Sequence, residues 1–174
     1  SGAAPIVRTT SKFENPAQCF QDAHLRLAQL VQRRTSLPLA LNNALAEIYT
    51  NNYAKMGFHS DQALDLADNS HIALFSCYKH PELVTTPRML VVELKDQPGE
   101  IVEIPLKHLS VVVFSLETNQ RFRHKIVLNR STNPLENEWL GLTFRTSKTK
   151  IHFQEGSPRF EDGRDLTLAD EAQQ

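Results

Sequence analysis

The sequence predicts a mainly β protein, a double sheet of the sandwich or jelly-roll kind with one leading helix packed on it. Three observations predict it. Between Ala44 and Phe153 apolar and polar residues alternate with period two in eight short runs; one stretch alone, before Pro38, repeats at helical spacing; and turn residues such as Pro98-Gly99 separate the runs.

The helix is expected to open at Asn15-Pro16-Ala17-Gln18, with Asn15 as N-cap, Pro16 at the first helical position, where its missing N–H costs nothing, and Gln18 placed to answer the cap. Phe20, Ala23, Leu27, Leu30 and Val31 then make the apolar stripe, and Arg33 and Arg34 suit the negative end of the helix dipole. His24 falls on the shoulder of that stripe, at the surface or its edge. The strands are expected at residues 44–49, 71–78, 88–94, 100–104, 110–114, 121–128, 139–146 and 149–153. Residues 1–154 then form one domain, and residues 155–174 an acidic tail with little to bury, expected to be mobile.

At 174 residues the chain fits one domain large enough to hold a core without staples. Its two cysteines, Cys19 and Cys77, lie far apart and outside any zinc spacing, which points to a reducing, intracellular setting. No apolar run reaches the length of a membrane span. Of 19 basic and 20 acidic residues, two arginines and six acids fall in the tail, so the body is about +3. That is far from the balance that by itself argues for nucleic acid, although it leaves room for a local basic patch.

The chemistry centres on His59-Ser60-Asp61. In an extended segment side chains alternate, so His59 and Asp61 project to one side and Ser60 to the other. A second histidine on a neighbouring strand completes a 2-His-1-carboxylate triad, which holds non-haem Fe(II) by one face and leaves the other open. The run RFRHKIVL supplies a candidate: Phe122, His124, Ile126 and Leu128 share one face and Arg121, Arg123 and Lys125 the other. A core histidine satisfied by packing and hydrogen bonds gives the same pattern, but inward His59 and Asp61 also need a partner. In WLGLTFRT, Trp139, Gly141, Thr143 and Arg145 share a face, where the arginine fork suits a carboxylate ligand or a structural salt bridge. Glu47 and Tyr49 likewise share a face, and an inward tyrosine hydroxyl seeks a ligand or the backbone.

Together these segments resemble the AlkB family of Fe(II)- and 2-oxoglutarate-dependent dioxygenases. LNNALAEIYTNNYAKMGFHSD looks like the family's strand, loop and metal motif, SHIALFSCY its next apolar strand, SVVVFSLETNQRFRHKIVL its strand, turn and distal-histidine segment, and LTFR its closing tetrad. The resemblance implies a double-stranded β-helix (jelly roll) with the N-terminal helix packed on the sheet. It implies that His59, Asp61 and His124 bind Fe(II), and that Tyr49, Thr143 and Arg145 contact 2-oxoglutarate. Glu47 stands where the family has Asn, and Trp139 where it has Arg, so Arg145 must hold the cosubstrate with less help, or Arg130 or a lysine substitutes. The implied reaction is oxidative hydroxylation or demethylation, in that family most commonly of methylated nucleobases. Lys79, Arg88, Arg121, Arg123, Lys125 and Arg130 would then supply a basic rim for single-stranded nucleic acid. The alternatives are a protein or small-molecule substrate, a binding module of the same fold without turnover, and a cupin-like metalloprotein of unrelated chemistry.

Overall fold

A strand of period two has one face to bury, and two sheets bury those faces on each other. The computed structural model describes residues 2–6 and 17–166. In chain order its strands are β1 (Ala4–Pro5), β2 (Asn43–Thr50), β3 (His71–Tyr78), β4 (Arg88–Leu94), β5 (Ile101–Leu106), β6 (Ser110–Ser115), β7 (Phe122–Val127), β8 (Glu138–Arg145), β9 (Lys150–Gln154) and β10 (Ser157–Phe160). The helices are α1 (Asp22–Thr35) and the short α2 (Leu116–Arg121). A four-stranded sheet runs β2-β8-β3-β6, a three-stranded sheet β5-β4-β7, and β1-β9-β10 form a third. All pairings are antiparallel. The fold is a jelly roll, as expected.

Two apolar clusters account for its layers. Leu74, Tyr78 and Trp139 of the larger sheet meet Leu90, Leu106 and Ile126 of the smaller one, which is the core between the sheets. On the outer face of the larger sheet Ala73, Phe75, Leu142 and Phe144 take Ala28 and Val31 of α1, with Phe20 and Leu27 packed alongside. Successive residues of β8 therefore serve different cores, Trp139 inward and Leu140, Leu142 and Phe144 toward the helix, as alternation requires.

The helix departs from the expected one at its start. It begins at Asp22 with Gln21 as N-cap, and His24 closes a capping box by accepting the Gln21 N–H at Nδ1 (3.2 Å). Ala17 and Gln18 lie outside the helix, and Asn15 and Pro16 lie outside the described residues. The buried arc centres on Ala28 and Val31, which leaves Ala23 exposed and Leu30 at the solvent edge, 44% exposed. Its end is as expected, with Arg33 and Arg34 in the last turn and Ser36 in the left-handed conformation (φ 53°).

Two further elements differ. Arg121 closes α2 instead of opening a strand, so β7 starts one residue later, although its inward face is unchanged. Residues 157–160, placed in the acidic tail by composition, form β10 and pair with β9 in register Ser157↔Gln154 to Phe160↔Ile151. The cause is conformational: Glu155 (φ 52°) and Gly156 (φ 82°) are both left-handed, which makes a two-residue hairpin turn of the twist that antiparallel strands favour.

Candidate metal centre

The smaller sheet gains a fourth, irregular edge from the stretch that carries the histidine motif. Leu128 N donates to Ala54 O (2.6 Å) and Met56 N to Ile126 O (3.2 Å); His59 N donates to His124 O (2.9 Å) and His124 N returns the bond to His59 O (2.7 Å). Residues directly opposite in an antiparallel pair point to the same side, so this bridge sets the two imidazoles together, with ring centroids 4.6 Å apart. Asp61, two residues on, returns to that side.

A second clamp holds Asp61. Asn119 of α2 accepts the Asp61 N–H at Oδ1 (2.9 Å) and donates from Nδ2 to the Asp61 carbonyl (2.8 Å), while Ser60, pointing away, donates to the Phe122 carbonyl (2.8 Å). Asn119 is 4% exposed. Nothing in the spacing of LETNQR marked it, since an amide serving a distant backbone leaves no periodic signature.

The three side chains converge. Asp61 Oδ1 lies 3.5 Å from His124 Nε2 and 3.9 Å from His59 Nε2, and one ligand atom from each residue falls within 4.8 Å of the others. His59 Nδ1 lies 3.1 Å from the Gly57 carbonyl; donating there leaves Nε2 as the free ligand nitrogen, the usual way a metal-binding imidazole is oriented. The other Asp61 oxygen, Oδ2, accepts from Arg145 Nη2 at 2.7 Å. Burial alone pushes the Asp61 carboxyl upward, but the hydrogen bond with His124 and the charge and hydrogen bond of Arg145 outweigh it, so the group is held well below the usual carboxylate range. A deprotonated carboxylate and two imidazole nitrogens on one side of a pocket are a donor set that fits Fe(II).

A cavity with room of about 60 Å³ for water-sized groups opens beside these residues. Leu45, Leu74, Leu90, Phe114 and Ile126 give it apolar walls, and Glu47, Thr143 and Arg145 line it as well. Arg145 Nε is buried and has no hydrogen-bond partner, which leaves a charged donor for an incoming acceptor. A 2-oxo acid offers such an acceptor in its carboxylate. Tyr49 stands behind Glu47, its hydroxyl donating to Glu47 Oε1 (2.6 Å), and burial followed by the neighbouring carboxylate pushes the phenol above its usual range.

The basic rim expected from the sequence is largely neutralised. Arg88 is 1% exposed; Lys79 pairs with Glu138 (2.9 Å), Arg123 with Glu93 (2.7 Å) and Arg121, at 3.9 Å, with Glu117. Lys125 lies 4.2 Å from the centre of the Phe58 ring, and Arg130 reaches Asn52 Oδ1 at 3.4 Å. The burial of Arg88 was legible in principle, because alternation along β4 puts it on the same face as the core residue Leu90.

A model of the 2OG-Fe(II) oxygenase superfamily matches residues 7–145 of this chain. The solved structure of OsALKBH1 superposes with a TM-score of 0.51 at 16% identity, over 73% of this chain and 66% of that one. A prolyl-4-hydroxylase of Pseudomonas putida gives a TM-score of 0.40 at 18% identity, over 70% of this chain and 62% of its own. The chain thus spans a little under two thirds of either structure. It matches no curated protein in sequence.

Proposed function

Since the chain belongs to the 2OG-Fe(II) oxygenase superfamily, whose members imply Fe(II) and 2-oxoglutarate, we propose that it is a dioxygenase that oxidises a C–H bond of its substrate. Hydroxylation is the direct outcome, and at an N-methyl group it amounts to demethylation. The observation that carries this reading is the convergence of His59, Asp61 and His124 within 4.8 Å beside Arg145. When bound, Fe(II) brings the 2-oxo acid and dioxygen together, so that decarboxylation of the acid drives oxidation of the substrate.

The chain's own residues supply position and dryness. Arg145 fixes the rotamer of Asp61 through Nη2 and keeps Nε for a carboxylate, a geometry that a lysine ammonium does not reproduce. His124 and Asp61 are largely buried, whereas the His59 side chain is 44% exposed, so substrate approaches from the His59 side. Leu45, Leu74, Leu90, Phe114 and Ile126 line the same cavity and help to exclude water from it. With Fe(II), ascorbate and a 2-oxo acid, the protein should release CO2 and the shortened acid, and Asp61→Asn should release neither. A native protein inert with every 2-oxo acid, including in the presence of candidate substrates, would overturn the reading.

For the substrate, the paired rim supports a compact molecule or a protein side chain over an extended nucleic acid. Of the six rim candidates Arg88 is buried, and among the other five Lys125 and Arg130 are the two without a carboxylate partner among the described contacts. Two phosphate contacts on a single strand predict a slope of log K against log salt near −1.4, from about −0.7 per contact. A titration of single-stranded DNA or RNA across salt concentrations measures it; tight binding with a much steeper slope would return the nucleic-acid substrate to the lead.

A further inference from the structure

The cavity carries a lining charge that does not suit a dicarboxylate. Glu47 pairs with Gly141 on β8, four residues from Arg145, so the backbone positions of the two lie about 13 Å apart along the strand direction, and both side chains line the cavity. Arg145 is the only Lys or Arg among the residues that line it, and that guanidinium already balances Asp61. The Glu47 carboxylate is left as the unbalanced charge, and the Tyr49 hydroxyl, the nearby neutral donor, is directed at it.

Trp139 does not line the cavity but fills the space over Gly141, the residue paired with Glu47. Its indole, 1% exposed, donates from Nε1 to Ser76 Oγ (2.7 Å) and stacks on Tyr49 with centroids 5.5 Å apart. It lies so flat across Gly141 that a Cβ at that glycine would sit 2.3 Å from the ring. The buried cation Arg88 is held elsewhere: its guanidinium lies 5.9 Å from the Trp139 ring centre, donates to the Thr50 and Tyr53 carbonyls, and does not line the cavity.

We propose that Glu47 and Trp139 set the cosubstrate selectivity of this centre: they weaken binding of a 2-oxo acid that carries a second carboxylate, 2-oxoglutarate included, relative to one whose far end is short and uncharged. The proposal rests on the reading of the site as a 2-oxo-acid centre. A far carboxylate meets a like charge with no second Lys or Arg among the lining residues to offset it, and a chain too long for the cavity runs toward the indole packed over Gly141. A two-carbon or three-carbon apolar end meets neither.

Calorimetric titration of the Mn(II)-loaded protein without oxygen tests it with 2-oxobutyrate, 2-oxohexanoate and 2-oxoglutarate. Native protein should bind 2-oxobutyrate at least tenfold more tightly than either of the others. Glu47→Gln, which keeps an acceptor for Tyr49, should tighten 2-oxoglutarate at least tenfold and change 2-oxobutyrate less than threefold, while Glu47→Asp, which keeps the charge, should gain nothing for 2-oxoglutarate. Equal or tighter native binding of 2-oxoglutarate, equal gains in both variants, or no binding of any acid to Mn(II)-loaded protein would overturn the proposal and leave the metal centre standing. Electron paramagnetic resonance of the Mn(II) separates that result from failure of the centre itself, in which no bound Mn(II) is seen and both readings fall.

Discussion

Asp61→Ala should abolish Mn(II) and Fe(II) binding: with two imidazoles left, affinity is expected to fall by more than a hundredfold, read by calorimetry or by the Mn(II) resonance signal. The carboxylate is the one anionic ligand of the set, and it is also the partner of a partly buried guanidinium. Removing one member of such a pair leaves the other charge stranded, at a cost of about 3–5 kcal/mol when the pair is fully buried. Loss of metal binding in Asp61→Ala could therefore reflect lost fold, and Asp61→Asn removes that ambiguity. The amide keeps an acceptor for Arg145 Nη2, and the Asn119 clamp holds the backbone of residue 61 and is indifferent to its side chain. Asp61→Asn should unfold cooperatively near the native midpoint yet bind metal no better than Asp61→Ala. Native-like metal affinity in a folded Asp61→Asn would rule out the triad.

Arg88→Met should lose about 3 kcal/mol of stability or more in urea unfolding, the largest effect expected away from the metal. Arg88 has two short bonds to carbonyls, Nη1 to Tyr53 O and Nη2 to Thr50 O, both at 2.7 Å, beneath the rings of Tyr49 and Trp139. Methionine fills much of the volume but donates nothing, and each lost bond from a charged donor is worth about 1.5–3 kcal/mol, although Thr50 O keeps the Tyr53 N–H (3.0 Å). Burial pushes the guanidinium below its ordinary value, with the neighbouring tyrosines opposing that shift, so a good part of its solvation is already lost. Arg88→Lys should recover a fraction, since one ammonium cannot meet two carbonyls with the geometry of the fork. An Arg88→Met protein as stable as the native one would mean that the buried charge costs as much as its two bonds return.

Period two was enough to read faces. It put His59 with Asp61, His124 with Ile126, and Arg145 with Thr143, and the structure sets each of these on the inward side. Periodicity is a local property, however, and it does not say which face meets which. The Arg145 ion pair with Asp61, 84 residues away, depends on how the two sheets close, as does the Asn119 clamp, 58 residues from Asp61. The turn at Glu155-Gly156 was missed for another reason: it needs two left-handed residues, and glutamate gives little warning of that conformation. Helix α1 shows the reverse limit, since its stripe was legible while its first residue depended on a cap at Gln21 that stands outside the usual set of capping residues.

The reciprocal backbone bonds between His59 and His124 join positions 65 residues apart in the chain. An ion held by both imidazoles would therefore be a cross-link as well as a reagent. Closing a loop of that length in the denatured ensemble removes chain entropy worth about 4 kcal/mol on the model used for disulfides. The segment between the two histidines contains β3, β4, β5 and β6, strands from both halves of the sandwich. Iron supply would then set how long the protein survives in its folded form as well as how fast it turns over.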